Sequence, residues 1–136
     1  MEASFHMSLP CLSAKDTRDF YSHIGASFGR STESWVDVNF FGHQITFIET
    51  DKYNFSSPNY VFEGKILPAF HFGIILDTGA WKAVYKKLEE QQLDLVTEST
   101  FLKEKVGEHR SFFVKDPNDY MLEFKTFMDP NSIFSI

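Results

Sequence analysis

Two apolar stretches each carry one histidine near their start: FHMSLPCL holds His6 and PAFHFGIIL holds His71. Histidine titrates near neutral pH and ligates metals as the neutral imidazole. A third apolar stretch, YMLEFKTF, carries Glu123. A carboxylate inside such a run is costly unless it is paired or holds a cation. Two imidazoles and one carboxylate on three separate strands are the donor set of a three-ligand site for a divalent metal, with coordination positions left for substrate. Fe(II) suits that set best, and Mn, Ni or Zn are compatible with it. The plainer alternative is three hydrogen-bonded core residues, with Glu123 paired to Lys125 or Arg110.

The elements that would position these groups are written twice along the chain. In the first half, residues 5–11 read as a strand, and SAKDTRDFYSHIGA reads as a helix that Ser13 or Asp16 caps and Gly25 stops. SFGR, SWVDVNFF and HQITFIE follow as strands, the second with Val36, Val38 and Phe40 on one side and Trp35, Asp37 and Asn39 on the other. In the second half, residues 69–76 read as a strand and TGAWKAVYKKLEEQQ as a helix with an apolar face of Trp81, Val84, Tyr85 and Leu88. DLVTESTF, RSFFVK and YMLEFKTF are the remaining strands, with DPND as a turn before the last. Each half is therefore βαβββ, and the fold class is α+β within one domain, 1–136: module one at 4–50, a connection at 51–68, module two at 69–127 and a tail at 128–136. The connection lacks a clear period, contains Pro58 and Pro68, and is long enough for a lid or a dimer contact. In the tail, Ile133, Phe134 and Ile136 are expected to dock.

The repeat places His6 and His71 at matching positions. Side chains alternate along a strand, so His6 and Ser8 oppose Phe5, Met7 and Leu9, and His71, Gly73 and Ile75 oppose Phe70, Phe72 and Ile74. If the halves pair about a pseudo-twofold axis, their sheets enclose a concave, barrel-like cleft on which His6, His71 and Glu123 converge.

Composition restricts the partners. With 43% hydrophobic residues the 136-residue chain can build a packed interior, and its 16 phenylalanines can fill a core or line a pocket. A net charge of −6 without a basic stripe argues against nucleic acid and mildly favours cationic ligands. No apolar run approaches the roughly 18 residues of a membrane span. The start MEASFHMSL lacks the pattern of a signal peptide, and the single cysteine, Cys11, reads as a small buried hydrophobe in a reducing compartment. A soluble cytoplasmic protein is expected.

Paired βαβββ modules, KDTRDFY opening the first helix and KDPNDYMLEF entering the last strand resemble the vicinal oxygen chelate superfamily, which includes glyoxalase I, fosfomycin-resistance enzymes, bleomycin-resistance proteins and extradiol dioxygenases. The likeness spans about residues 5–127. FGHQI, PAFHFGIIL, GEHRSFFVKDPNDYMLEFKTF and the trailing DP are similar to its small predicted extradiol-dioxygenase-like group. Carried over, the resemblance implies His6 and His71 as first-strand metal ligands and Glu123 as the last-strand ligand. Aligning the turns at Gly42 and Asp119 sets Thr46, a poor ligand, against Glu123, which departs from the four-ligand glyoxalase pattern.

The function implied is a metal-dependent, dioxygenase-like oxidoreductase acting on a small substrate that chelates through adjacent oxygens. The alternatives are a glyoxalase-type lyase or isomerase, a thiol transferase, and a non-catalytic drug- or metabolite-binding protein. His109, after the VGE turn, is the candidate acid or base that acts alongside the metal ligands. His43 and Tyr120 are out of phase with the cleft, and His23 reads as solvent-facing. Gln44, Trp35 and Asn39 are candidate substrate contacts, and Asp37 joins them unless a lysine pairs with it. A homodimer is expected, and with exchanged modules His6 would come from one subunit and His71 with Glu123 from the other.

Overall fold

The computed structural model describes residues 2–136. Ten strands, two α-helices and one 3-10 turn are present among them. They form two compact units, residues 2–55 with 116–118, and residues 56–115 with 119–136.

The first unit contains β1 (His6–Cys11), α1 (Ala14–His23), β2 (Ser27–Ser31), β3 (Trp35–Phe40) and β4 (His43–Glu49). Its sheet has the order β1-β4-β3-β2, with β1 parallel to β4 and the other pairs antiparallel. α1 begins where Ser13 accepts a hydrogen bond from the Asp16 N–H at 3.1 Å, so Ser13 is the cap of the two candidates. It stops at Gly25, whose φ of 93° a side chain would disfavour. Phe20, Tyr21 and Ile24 pack with Val36, Val38, Phe40, Ile45 and Phe47 as the core of this unit. Cys11 is buried here, and burial pushes its thiol up, away from thiolate chemistry.

Residues 116–118 complete this unit from far along the chain. The Tyr21 hydroxyl donates to Asp116 at 2.9 Å, and Asn118 accepts the Leu12 N–H at 2.8 Å while donating to Thr17 at 3.1 Å. Tyr21, Thr17, Asp116 and Asn118 are all buried, so each bond satisfies a group that water does not reach.

The second unit contains β5 (Asn59–Phe62), β6 (Lys65–Pro68), β7 (Phe72–Ile75), α2 (Thr78–Glu90), β8 (Thr97–Phe101), β9 (His109–Lys115), β10 (Met121–Phe127) and a 3-10 turn at Pro130–Ser132. Its main sheet has the order β7-β10-β9-β8, the same arrangement as in the first unit. Asp77 caps α2 by accepting the Ala80 N–H at 2.8 Å. The helix buries Trp81, Val84 and Leu88, and Trp81 Nε1 donates to the Phe124 carbonyl at 2.8 Å. The chain is thus α+β, with two four-stranded mixed sheets, each carrying one helix, and among the described residues each sheet is open-ended in its strand order.

Three local expectations change. The connection at 51–68 is not featureless, because β5 and β6 form a hairpin there. Its two-residue turn is Glu63 at φ 47° and Gly64 at φ 79°, the positive-φ pair that a tight hairpin requires. Pro58 and Pro68 sit at strand margins, where no ladder N–H is lost. The strand expected at 69–76 is shorter and starts at Phe72. The N–H groups of Ala69 and Phe70 bond instead to the Pro58 carbonyl and the Ser57 hydroxyl, at 2.7 and 2.9 Å, so the backbone joins the hairpin before it joins β10. In the tail, Ile133 is half-buried, but Phe134 and Ile136 stand exposed rather than docked on this chain. No helix among the described residues is long and apolar enough to cross a membrane.

Candidate metal centre

β10 lies between β7 and β9, so its side chains are flanked on both sides. Glu123 on β10 is opposite Gly73 on β7 and Phe113 on β9. It is only 8% exposed. His71, just before β7, brings Nε2 to 3.2 Å from Glu123 Oε1. The Ser111 hydroxyl donates to Glu123 Oε2 at 2.6 Å. The His71 Nδ1 lies 3.0 Å from the Pro68 carbonyl oxygen. A carbonyl only accepts, so Nδ1 carries a proton and Nε2 is the nitrogen turned to the carboxylate.

That geometry leaves two states. Either Nε2 is also protonated and donates to Glu123, or its lone pair and the carboxylate face one cation. The donor set fits a divalent metal: a neutral imidazole fixed from behind by a carbonyl and a carboxylate oriented by a hydroxyl are the usual supported ligands. Two rings flank His71. Tyr60 of β5 stacks on His71 with centroids 6.2 Å apart and planes 10° apart, and the edge of Phe113 approaches at 5.9 Å. The hairpin is held in place by Leu67, which clusters with Phe101, Phe113 and Met121, and by Phe62 packed against them.

The electrostatics follow from the contacts. The hydrogen bond to Glu123 raises the His71 pKa above its ordinary 6.5; burial opposes this, and the Pro68 carbonyl reinforces it. Burial alone would push Glu123 up, but hydrogen bonds from His71 and Ser111, with Lys125 nearby, outweigh it and bring the carboxyl below its ordinary value. Tyr60 is raised by burial and by the negative charge of Glu123. For metal-free protein, the raised His71 pKa contributes stability below about pH 6.5 that is lost as pH rises through the folded value. The lowered Glu123 pKa contributes stability above about pH 4.5 that is lost as pH falls through its folded value. Urea melts of chelator-treated protein should therefore be most stable in mildly acidic buffer. His71→Ala should flatten the alkaline decline, and an unchanged decline would show that this pair does not set it.

The structure brings His71 and Glu123 together. His6 is on β1 of the first unit, exposed, opposite Gln44 in the ladder. Among the described residues, no group of three or more His, Cys, Asp or Glu side chains is gathered for a metal. Strand register matches the two units: Ser8 is opposite Thr46 as Gly73 is opposite Glu123, so His6 and His71 each stand two residues before the matching position. His109 is on the sheet face of Glu123, but at the far end of β9, opposite Phe127. Its ring lies between Phe101 and Phe127, at 5.4 and 4.9 Å, and its Nδ1 is 2.8 Å from the Gly107 carbonyl. Gln44 and Asn39 are opposite each other on β4 and β3 and line a cavity of about 250 Å³ with Asp37. Trp35 is half-buried at the start of β3, with the Arg30 guanidinium 5.9 Å from its ring. His23 is exposed, and Tyr120 is buried against Phe70 and Phe72. Tyr60 was hidden within the apparently irregular connection. The signal for it was the pair Glu63-Gly64 between two short apolar runs, which puts Tyr60 and Phe62 on one face.

No family profile and no curated protein matches the sequence. Solved structures do match. A glyoxalase/bleomycin resistance protein/dioxygenase from Alicyclobacillus acidocaldarius is similar with a TM-score of 0.82 and 24% identity, over 98% of this chain and 97% of that one. A fosfomycin resistance protein from Listeria monocytogenes gives 0.65 and 14%, over 91% and 90%. A lactoylglutathione lyase from Agrobacterium tumefaciens gives 0.65 and 9%, over 100% and 98%. Likeness at these identities establishes a shared fold.

Proposed function

We propose that this chain, with the glyoxalase/bleomycin resistance/dioxygenase fold of the vicinal oxygen chelate superfamily, is a metal-dependent enzyme acting on a small substrate with adjacent oxygens. His71 and Glu123 are its ligands from the second unit. The observation that carries the proposal is the 3.2 Å approach of His71 Nε2 to Glu123 Oε1, with the imidazole's other nitrogen turned to a carbonyl. A divalent ion held there supplies Lewis acidity, lowering the pKa of a coordinated hydroxyl. Fe(II) is the favoured ion, with Mn, Ni or Zn as alternatives.

The chain's own groups do the rest. Ser111 fixes the rotamer of Glu123 and leaves its Oε1 toward His71. Tyr60 stacks against the His71 ring, and its phenol, which carries its proton at neutral pH as any tyrosine does, can donate a hydrogen bond. Tyr60 is thus a better placed hydrogen-bond donor to substrate than His109, whose ring is enclosed by Phe101 and Phe127.

The dioxygenase-like reaction is the first choice. A lyase, isomerase or thiol transferase is the second, and the name of the Agrobacterium structure, a lactoylglutathione lyase, supports the lyase among them. Protein purified without chelator should contain close to one equivalent of a divalent metal by mass spectrometry. Wild-type protein that takes up none of the four ions would overturn the enzyme reading and leave a metabolite-binding protein. Oxygen uptake by anaerobically iron-loaded protein with a catechol panel then separates dioxygenase from lyase or transferase. The reading also places the protein in the cytoplasm as a homodimer, which sedimentation at micromolar concentration tests.

A further inference from the structure

Asp37 is a buried carboxylate with no ion-pair partner among the described residues. It lies in the middle of β3, 7% exposed, and accepts one hydrogen bond, from the Thr46 hydroxyl to Oδ1 at 2.7 Å. Among the described residues, no lysine, arginine or histidine forms an ion pair with it. Buried charges are ordinarily paired, because desolvation without compensation costs several kcal/mol. Asp37 instead borders the cavity of about 250 Å³ that Ser4, Gly29, Asn39 and Gln44 also line.

That cavity is open, and polar side chains stand among the Val38, Gly42 and His43 that complete its lining. Asn39 is two residues from Asp37 on the same face, and Gln44 is opposite Asn39 in the ladder. Asn39 Oδ1 accepts the Gly42 N–H at 2.8 Å, which fixes its orientation and leaves its amide N–H groups and one lone pair for a guest. Gly29 faces Asp37 from β2: a Cβ there would sit 3.5 Å from the Asp37 Cβ, so the missing side chain is part of the cavity. One available carboxylate oxygen and two amide groups are too few oxygen donors for a bare Ca²⁺ or Mg²⁺ ion. The volume also exceeds what a single ion fills. A primary ammonium fits: it brings a charge for Asp37 and three donors for the carboxylate and the amide oxygens.

We propose that this cavity of the first unit is a binding site for the primary ammonium group of a small organic molecule, with Asp37 as the charge partner and Asn39 and Gln44 as hydrogen-bonding walls. The site needs neither His71 nor Glu123. It is therefore tested on chelator-treated protein, and its failure leaves the metal reading untouched.

The probe is benzylammonium, with benzyl alcohol as the neutral isostere and benzyltrimethylammonium as the cation without N–H donors. Binding is followed through the side-chain amide signals of Asn39 and Gln44 in nitrogen-15 NMR. Benzylammonium should shift both signals saturably and bind at least tenfold more tightly than either control. Asp37→Asn keeps an acceptor for Thr46 but removes the charge, and should weaken benzylammonium at least tenfold. It should also leave the melting temperature of ligand-free protein unchanged or higher, since an uncompensated charge is gone. Gly29→Lys, which supplies an ammonium from within the chain, should block the probe, whereas Gly29→Ala should still bind it. Equal shifts with benzyl alcohol would overturn the proposal. So would an Asp37→Asn protein that melts lower and binds the probe as well as wild type, because Asp37 would then be structural.

Discussion

His71→Ala and Glu123→Gln proteins are expected to bind Mn(II) or Fe(II) more than about 100-fold more weakly than wild type, and Ser111→Ala about 10- to 100-fold more weakly. The ordering follows from distance to the cation. His71 and Glu123 would donate electron pairs directly, whereas Ser111 only holds the carboxylate in its rotamer through a 2.6 Å hydrogen bond. Glu123→Gln is the informative variant, because its amide oxygen can still accept from Ser111 and its N–H can donate to the His71 lone pair. The fold is thereby kept while the charge is lost. Titration calorimetry under anaerobic conditions measures the three affinities, with circular dichroism as the folding control. If Glu123→Gln binds as well as wild type, the pair is an imidazolium–carboxylate bridge and no more.

Gly73→Ala is expected to destabilise the protein by about 3 kcal/mol or more, a larger loss than ordinary overpacking gives. β7 and β10 run parallel with Gly73 directly opposite Glu123, and a Cβ on Gly73 would overlap the Glu123 main-chain carbonyl. Backbone cannot swing aside as a flexible side chain can, so either the ladder opens or Glu123 moves. Both outcomes displace the carboxylate from His71, and metal affinity should fall together with stability. Gly29→Ala is the matched control on the other sheet, since its Cβ would make an ordinary 3.5 Å contact with Asp37. It should cost no more than about 1 kcal/mol. Equal urea midpoints for the two variants would mean that the close approach of β7 to β10 is not needed.

Most of the architecture was legible because its signals are local and repeated. The alternation Val36, Val38, Phe40, the cap at the start of the first helix, and the helix spacing of Trp81, Val84 and Leu88 each report a single element and need no distant partner. The hairpin of β5 and β6 was missed because Pro58 and Pro68 mask its ends, and its strands are too short to show a period. That omission hid Tyr60 and made His71 look like a strand residue rather than the end of a turn. The pairing of His71 with Glu123 was readable from alternation plus topology. Ser111 was not, because serine in a strand has no pattern of its own and its role depends on β9 lying beside β10. Alternation puts Asp37 on one face with Asn39, but it cannot show that no lysine or arginine among the described residues pairs with it, which depends on where each of them ends up.

The clasp of Asp116 and Asn118 on Tyr21, Thr17 and Leu12 bears on how such a duplicated chain can be divided. A fragment ending at residue 55 would hold a phenol, a threonine hydroxyl and a main-chain amide whose mates lie on the severed piece. The first half depends on these bonds from the second, so it is not a portable cassette. Recombination that transplants the first half must carry along the DPN tripeptide or evolve a substitute for it.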